Sequence, residues 1–469
     1  MDTGSSSTPT PQVTQNTEMT TPGEYQQKLQ KLEELIIQWS AMTFEESALP
    51  TLAQKVLSND FEDLFYGLIG IRKLLSNDKN PPLQAAIDAG LVPRLIQLTF
   101  LDSSHRIQFE AAWCLKNLCS GTTEQTLYVI QNGALESFFF LLKSENPDVV
   151  DHSVWGIGNI AADNAQFRDF ILQRYGIDEL VKVLAKTSNP SFKRNGAWAL
   201  SNLCRGKPAP AFELVSKAIP QLCEYLTGET EPEALIDVAW TLSSLTTESK
   251  GIDSVLSCNV VPKLIELFSD AGLVVPCLRT IGNILAGNDE QTSVVLKEKN
   301  FIPELFKLAG DEKKNVRKEV FWMISNITAG TPAQFEAIMG NPGYVEKIIH
   351  AAKNDVPEVK NEALWALTNS TAKCTPAQII RILENGVFGC LIDLLDEDYS
   401  KFLCLALDGV ENCLRWGNEF KMKDESGMNK FAVVMKYRGA LEKIDTLKSH
   451  ENNEVHEKAS KILTTYFDG

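Results

Sequence analysis

The sequence predicts an all-α chain, a stacked array of three-helix repeats, and three observations carry that prediction. First, a glycine followed by a short apolar segment recurs: AGLVPRLIQL at Gly90, NGALESFFFLL at Gly133, YGIDELVKVL at Gly176, PGYVEKII at Gly343, NGVFGCLIDLL at Gly386 and RGALEKIDTL at Gly439. NVVPKLIEL near Val260 and NFIPELFKL near Phe301 keep the segment without the glycine. The step is mostly about 43 residues, within the range of helical repeat units. Second, each unit holds a longer segment with apolar residues three and four apart, the pattern of a helix with one buried stripe. These segments read FEAAWCLKNLCSG, DHSVWGIGNIAAD, RNGAWALSNLCRG, IDVAWTLSSLTTE, VPCLRTIGNILAG, KEVFWMISNITAG and KNEALWALTNSTA. Third, no segment sustains the period-two alternation of a half-buried strand.

Each element has a physical reason. The recurrent glycine supplies a left-handed cap where one helix ends and the next begins. Pro147 and Pro357 stand just upstream of long helices, where a first turn tolerates proline. Residues 1–24, rich in Ser, Thr, Pro and Gln, read as a disordered tail. Over 25–47, Leu29, Leu32, Leu35, Ile36 and Trp39 recur at helical spacing and predict an amphipathic helix. The repeat domain then spans 48–469.

Composition limits the function. At 469 residues the chain exceeds one compact core, which suits a repeat array. Sixty-one acidic against 45 basic residues give a net charge of −16, which disfavours binding to phosphate backbones and suits a basic partner. The ten cysteines form no CxxC pair and lie in apolar segments, as buried free thiols of a reducing compartment do. Neither a membrane-spanning run nor a secretory signal is visible, so no membrane insertion is expected. The five histidines show no metal-ligand spacing, and no metal or cofactor is expected.

The long helices share one further feature. Trp is followed four residues later by Asn at Trp113/Asn117, Trp155/Asn159, Trp198/Asn202, Trp322/Asn326 and Trp365/Asn369. Positions i and i+4 lie on one helix face, so stacked repeats align a ladder of indoles and a ladder of carboxamides. Asn is a poor helix former and costly to bury, so folding alone does not call for such a ladder. A carboxamide offers donor and acceptor to the backbone of an extended peptide. Slots between indoles suit the stems of Lys or Arg, with about 0.5–2 kcal/mol of cation–π attraction each. Asp163, Asp237, Glu319 and Glu362 stand ready to hold the cationic heads. The pattern breaks at Ser244, in the Asn place after Trp240, and at Arg279, in the Trp place before Asn283. Arg279 should repel a basic peptide, which divides the face into two sites.

These residues resemble the importin-α (karyopherin-α) family of nuclear import adaptors. QFEAAWCLKNLCSGTTEQT, VWGIGNIAADNAQFRD, AWALSNLCRGKPAPAF, RTIGNILAGNDEQT and WMISNITAGTPAQ are similar to that family's repeats in order, and GALEKIDTLKSHENNEVHEKASKILTTYF to its last. The resemblance covers about Leu49 to Phe467 and includes the irregular repeat at Arg279. It implies a right-handed superhelical solenoid of about ten three-helix armadillo repeats that binds nuclear localisation signals and shuttles between cytoplasm and nucleus by way of nuclear pores. A major site is implied at Trp113, Asn117, Trp155, Asn159, Asn195, Trp198, Asn202, Asp237 and Trp240, with a pocket for the key lysine at Gly121, Thr126 and Asp163. A minor site is implied at Arg279, Asn283, Thr292, Glu319, Trp322, Ser325, Asn326, Glu362, Trp365 and Asn369. Ser244 departs from the family's larger side chain. Family members also carry an Arg/Lys-rich N-terminal segment that binds importin-β. Residues 1–27 hold no Lys or Arg and bear no resemblance to it, so the resemblance supports cargo capture but not coupling to importin-β.

Three other readings compete. GIGNIA at Gly156–Ala161 matches a relaxed nucleotide fingerprint, but it lies inside a repeated helix where that motif needs a strand and a turn, so no enzyme is expected. A β-catenin-like scaffold would hold acidic ligands, against the charge of this chain. The remaining alternative is an import-family relative that acts as a structural scaffold, or as a sink for basic peptides without importin-β coupling.

Overall fold

A computed structural model describes residues 22–101, 104–228, 231–421 and 428–467. The expected tail, apart from its last three residues, lies outside the described residues. Among the described residues every regular element is helical. The helix expected over 25–47 runs Pro22–Ala41, starting at a proline, and a 3-10 turn at Glu46–Ala48 leads into the helix Leu49–Leu57. Trp39 and Phe44 both meet the ring of Tyr66 edge-on, at 5.5 and 5.7 Å.

The chain forms two compact units, divided between Asn164 and Ala165. The three-helix repeat is clear in both. In the first unit it reads Thr123–Gln131, Ala134–Leu141, Pro147–Asp163; in the second, Pro332–Met339, Pro342–Asn354, Pro357–Ala372. Long helices of successive repeats pack on one another: Phe61–Leu75, His105–Leu118 and Pro147–Asp163 in the first unit, and Pro190–Cys204 through Ser400–Lys421 in the second. Middle helices press large side chains onto glycines of the long helices. A Cβ on Gly156 would meet the Phe138 ring at 2.4 Å, and one on Gly196 would meet Leu184 at 2.2 Å.

The glycine caps behave as expected at Gly90, Gly133, Gly176, Gly386 and Gly439, with φ between 68° and 103°. Gly343 is different. It lies in the first turn of its helix, behind Pro342, and its N–H donates to the Asn341 carboxamide oxygen at 2.9 Å. A side-chain cap replaces the left-handed one there. Before Val260 the glycine's place is taken by Asn259 at φ 55°, the other residue that enters this region readily. Pro147 and Pro357 open their helices.

Candidate functional site

The five Trp/Asn pairs lie on the long helices, four residues apart on one face. The indoles are not core. Trp155, Trp240 and Trp365 are 36–39% exposed, and Trp113, Trp198 and Trp322 are half-buried. Asn117, Asn159, Asn202, Asn283, Asn326 and Asn369 are likewise half-buried, and Asn195 is buried.

The carboxamides do more than face a guest. Asn159 Nδ2 donates to the Lys116 carbonyl at 2.8 Å, Asn283 to the Ser243 carbonyl at 2.8 Å, and Asn369 to the Ser325 carbonyl at 3.0 Å. Each acceptor sits just before the ladder position of the preceding repeat. Asn117 donates to Ser76 Oγ at 2.9 Å, while Asn326 Nδ2 is buried without a partner among the described residues. Folding therefore does call for much of the ladder: one N–H ties a repeat to its predecessor. Asn283 spends Nδ2 twice, donating also to Thr246 Oγ1 at 3.1 Å, whereas Asn159 and Asn369 each give one such bond to the preceding repeat, and a carboxamide carries two N–H groups and an acceptor oxygen.

In the first unit, the residues expected to hold a key lysine fall around one helix start. Gly121 precedes a capping box in which Thr122 and Gln125 bond reciprocally, and a Cβ on Gly121 would come 2.1 Å from Gln125 Oε1. Asp163 Oδ1 accepts from Thr123 Oγ1 at 2.9 Å and from Asn164 Nδ2 at 2.7 Å. Thr126 is fully buried, its hydroxyl unpartnered among the described residues. Thr123 was not expected from the sequence. Lys116 was also missed: it is 4% exposed, and its Nζ lies 3.4 Å from the Trp155 ring centroid and 5.1 Å from that of Trp113. Arg72, paired with Glu110 at 2.5 Å, lies 4.6 Å from the Trp113 ring, and the His152 ring is 4.6 Å from the same indole. Burial, helped by the charges of Lys116 and Arg72, lowers the His152 pKa to about 3, which keeps it neutral. Burial likewise lowers Lys116 to about 8, against the pull of Asp151.

In the second unit the carboxylates are partly engaged. Glu319 pairs with Arg279, whose guanidinium also lies 5.3 Å from the Trp322 ring. Arg279, expected to repel cations, is thus countered by the acid expected to attract them. The other Glu319 oxygen is buried and unpartnered among the described residues. Asp237 stands 3.6 Å from Arg205, and burial raises its pKa despite that charge. Glu362 accepts from Asn361 Nδ2 at 3.0 Å. Thr292 and Ser325 are buried and bond their own backbone, to the carbonyls of Leu285 and Trp322. Both residues, expected in the minor site, thus support the helices beneath the ladder.

Residues 79–120 and 122–162 match the armadillo/beta-catenin-like repeat, and 429–469 the atypical Arm repeat. An engineered protein of known structure superposes with a TM-score of 0.73 at 24% identity, over 89% of this chain and 98% of that one. The molecule is an all-helical armadillo-repeat protein. Importin subunit alpha-1b of Oryza sativa subsp. japonica is 39% identical over 437 residues, 92% of this chain and 81% of that protein. Importin subunit alpha-2 of Arabidopsis thaliana is 42% identical over 90% of this chain and 79% of its own length, and importin subunit alpha-B of Dictyostelium discoideum 38% over 90% and 81%. The chain belongs to the importin-α family.

Proposed function

We infer that this chain is a nuclear import adaptor that takes Lys/Arg-rich nuclear localisation signals as extended peptides along the Trp/Asn faces of its long helices. The observation that carries the reading is the repeated pair: indoles that reach the surface, beside carboxamides on the same helix face able to offer both donor and acceptor to a guest backbone. The net charge of −16 favours cationic guests. Binding surfaces are assigned within each unit: in the first to Trp113, Asn117, Trp155 and Asn159 with Gly121, Thr126 and Asp163, and in the second to Asn195, Trp198, Asn202, Asp237 and Trp240 and to the minor-site residues Arg279 to Asn369, with no catalytic role for any. Shuttling between cytoplasm and nucleus, by way of nuclear pores, belongs to the same reading. Residues 1–27 carry no Lys or Arg and are assigned no part in holding importin-β.

A transport assay tests this. Permeabilised cells are supplied with the protein, importin-β and a fluorescent cargo bearing a basic signal. Nuclear accumulation of the cargo is expected. Cargo that is bound but stays outside, with importin-β unretained on the immobilised protein, would replace the adaptor by a sink for basic peptides.

A further inference from the structure

The residue just before each ladder position is small in successive long helices: Gly158, Ser201, Ser243, Gly282, Ser325 and Thr368. Lys116 is the departure. In the second unit the small residue has a packing reason, since a Cβ on Gly282 would come 2.3 Å from the ring of Trp322 in the next repeat. The residue in the next repeat that corresponds to Trp322 is, for Lys116, Trp155. There the Lys116 stem is buried and its ammonium lies against the indole, within cation–π range of Trp113 as well. Arg72 and His152 cover more of Trp113. A guest Lys or Arg would be drawn to such a ring by cation–π attraction, but Lys116 already makes that contact. A second cation placed beside it would be repelled electrostatically.

We propose that Lys116 is a specificity-determining residue: it fills the Trp113–Trp155 subsite from within, so that this subsite excludes Lys and Arg side chains while Asn117 and Asn159 still accept a peptide backbone. Burial leaves Lys116 with a pKa near 8, so it is charged at neutral pH and repels as well as obstructs. The guest position over these two indoles then suits a small or uncharged side chain. On the second ladder Arg279 lies over Trp322, so Trp365, 39% exposed, is the indole there that takes a basic side chain. This inference rests on the basic-peptide reading.

The test separates the two. A fluorescent Lys/Arg-rich peptide is titrated into the wild type, into Trp365→Ala/Asn369→Ala, and into that double variant carrying Lys116→Ser. Vacating the subsite should tighten binding about tenfold over the double variant. Thermal melts establish that each protein is folded. Should Lys116→Ser not fold, Lys116→Met, which keeps the stem without the charge, decides the same question with an expected gain of about threefold. A wild type that binds while the Lys116 change brings no gain overturns this inference alone. Absence of peptide binding by every folded variant overturns both readings.

Discussion

Asn159, Asn283 and Asn369 each serve the fold and the face at once. Their Nδ2 bonds to the preceding repeat mean that removing one loosens the stack as well as the guest contact. Asn283→Ala removes its bonds to Ser243 and Thr246 and should cost about 1–2 kcal/mol in denaturant unfolding, the ordinary worth of one or two hydrogen bonds; an unchanged midpoint would show that these bonds carry nothing. Lys116 adds a pH dependence of known sign. Its folded pKa, about 8, lies below the ordinary lysine value, so its charge opposes folding below pH 8. That penalty fades as pH rises from 8 towards 10.5. Asp151 pulls the other way on Lys116, and Lys116 in turn, with Arg72, acts on the neutral His152 ring. Lys116→Met should therefore be more stable than wild type at pH 7, by about 1–3 kcal/mol, and the gap should close by pH 10. A gap that stays constant across that range contradicts the buried charge. Neither effect was legible in the sequence. A lysine on an amphipathic helix reads as solvated, and only packing against the next repeat shows it lying on Trp155.

At the scale of elements, the glycine caps offer the sharpest contrast. Gly133 sits at φ 103°, where a side chain strains the backbone, whereas Gly343 lies in a helical first turn with room for a Cβ. Gly133→Ala should cost about 1–2 kcal/mol, and Gly343→Ala should be neutral or stabilising by up to about 1 kcal/mol. Equal losses in thermal melts would refute the distinction. The sequence shows a glycine before an apolar run in both places. It does not show that Asn341 and Pro342 have already capped the second helix. Helix existence was readable because a buried stripe imposes a period of 3.6 residues, and starts were readable where Pro147 or Pro357 stands first. The N-terminal helix was placed a few residues late at both ends, since its periodic residues begin after Pro22 and its end at Ala41 leaves no sequence mark. The pairing of Arg279 with Glu319 was beyond reach for another reason: the partners are on successive repeats, and only stacking brings them together.

At the scale of the whole molecule, the repeat is the unit of both stability and recognition. Family membership was legible because the Trp/Asn pairs, the irregular Arg279 and the closing segment occur in one order. The division of labour among the pairs was not. Every pair looks alike in the sequence, yet Trp113 is covered by Arg72, Lys116 and His152, while Trp365 stays 39% exposed. An acidic molecule should draw basic peptides more strongly at low ionic strength, with the contact itself made at the exposed indoles and carboxamides. The most direct measurement is equilibrium titration of one labelled Lys/Arg-rich peptide into the wild type and into Trp365→Ala/Asn369→Ala, both shown to be folded. The account predicts saturable binding by the wild type and a loss of at least about tenfold in the variant, since each step of 1.4 kcal/mol is a factor of ten and an indole and a carboxamide are removed together. Equal affinity in the two proteins would contradict it.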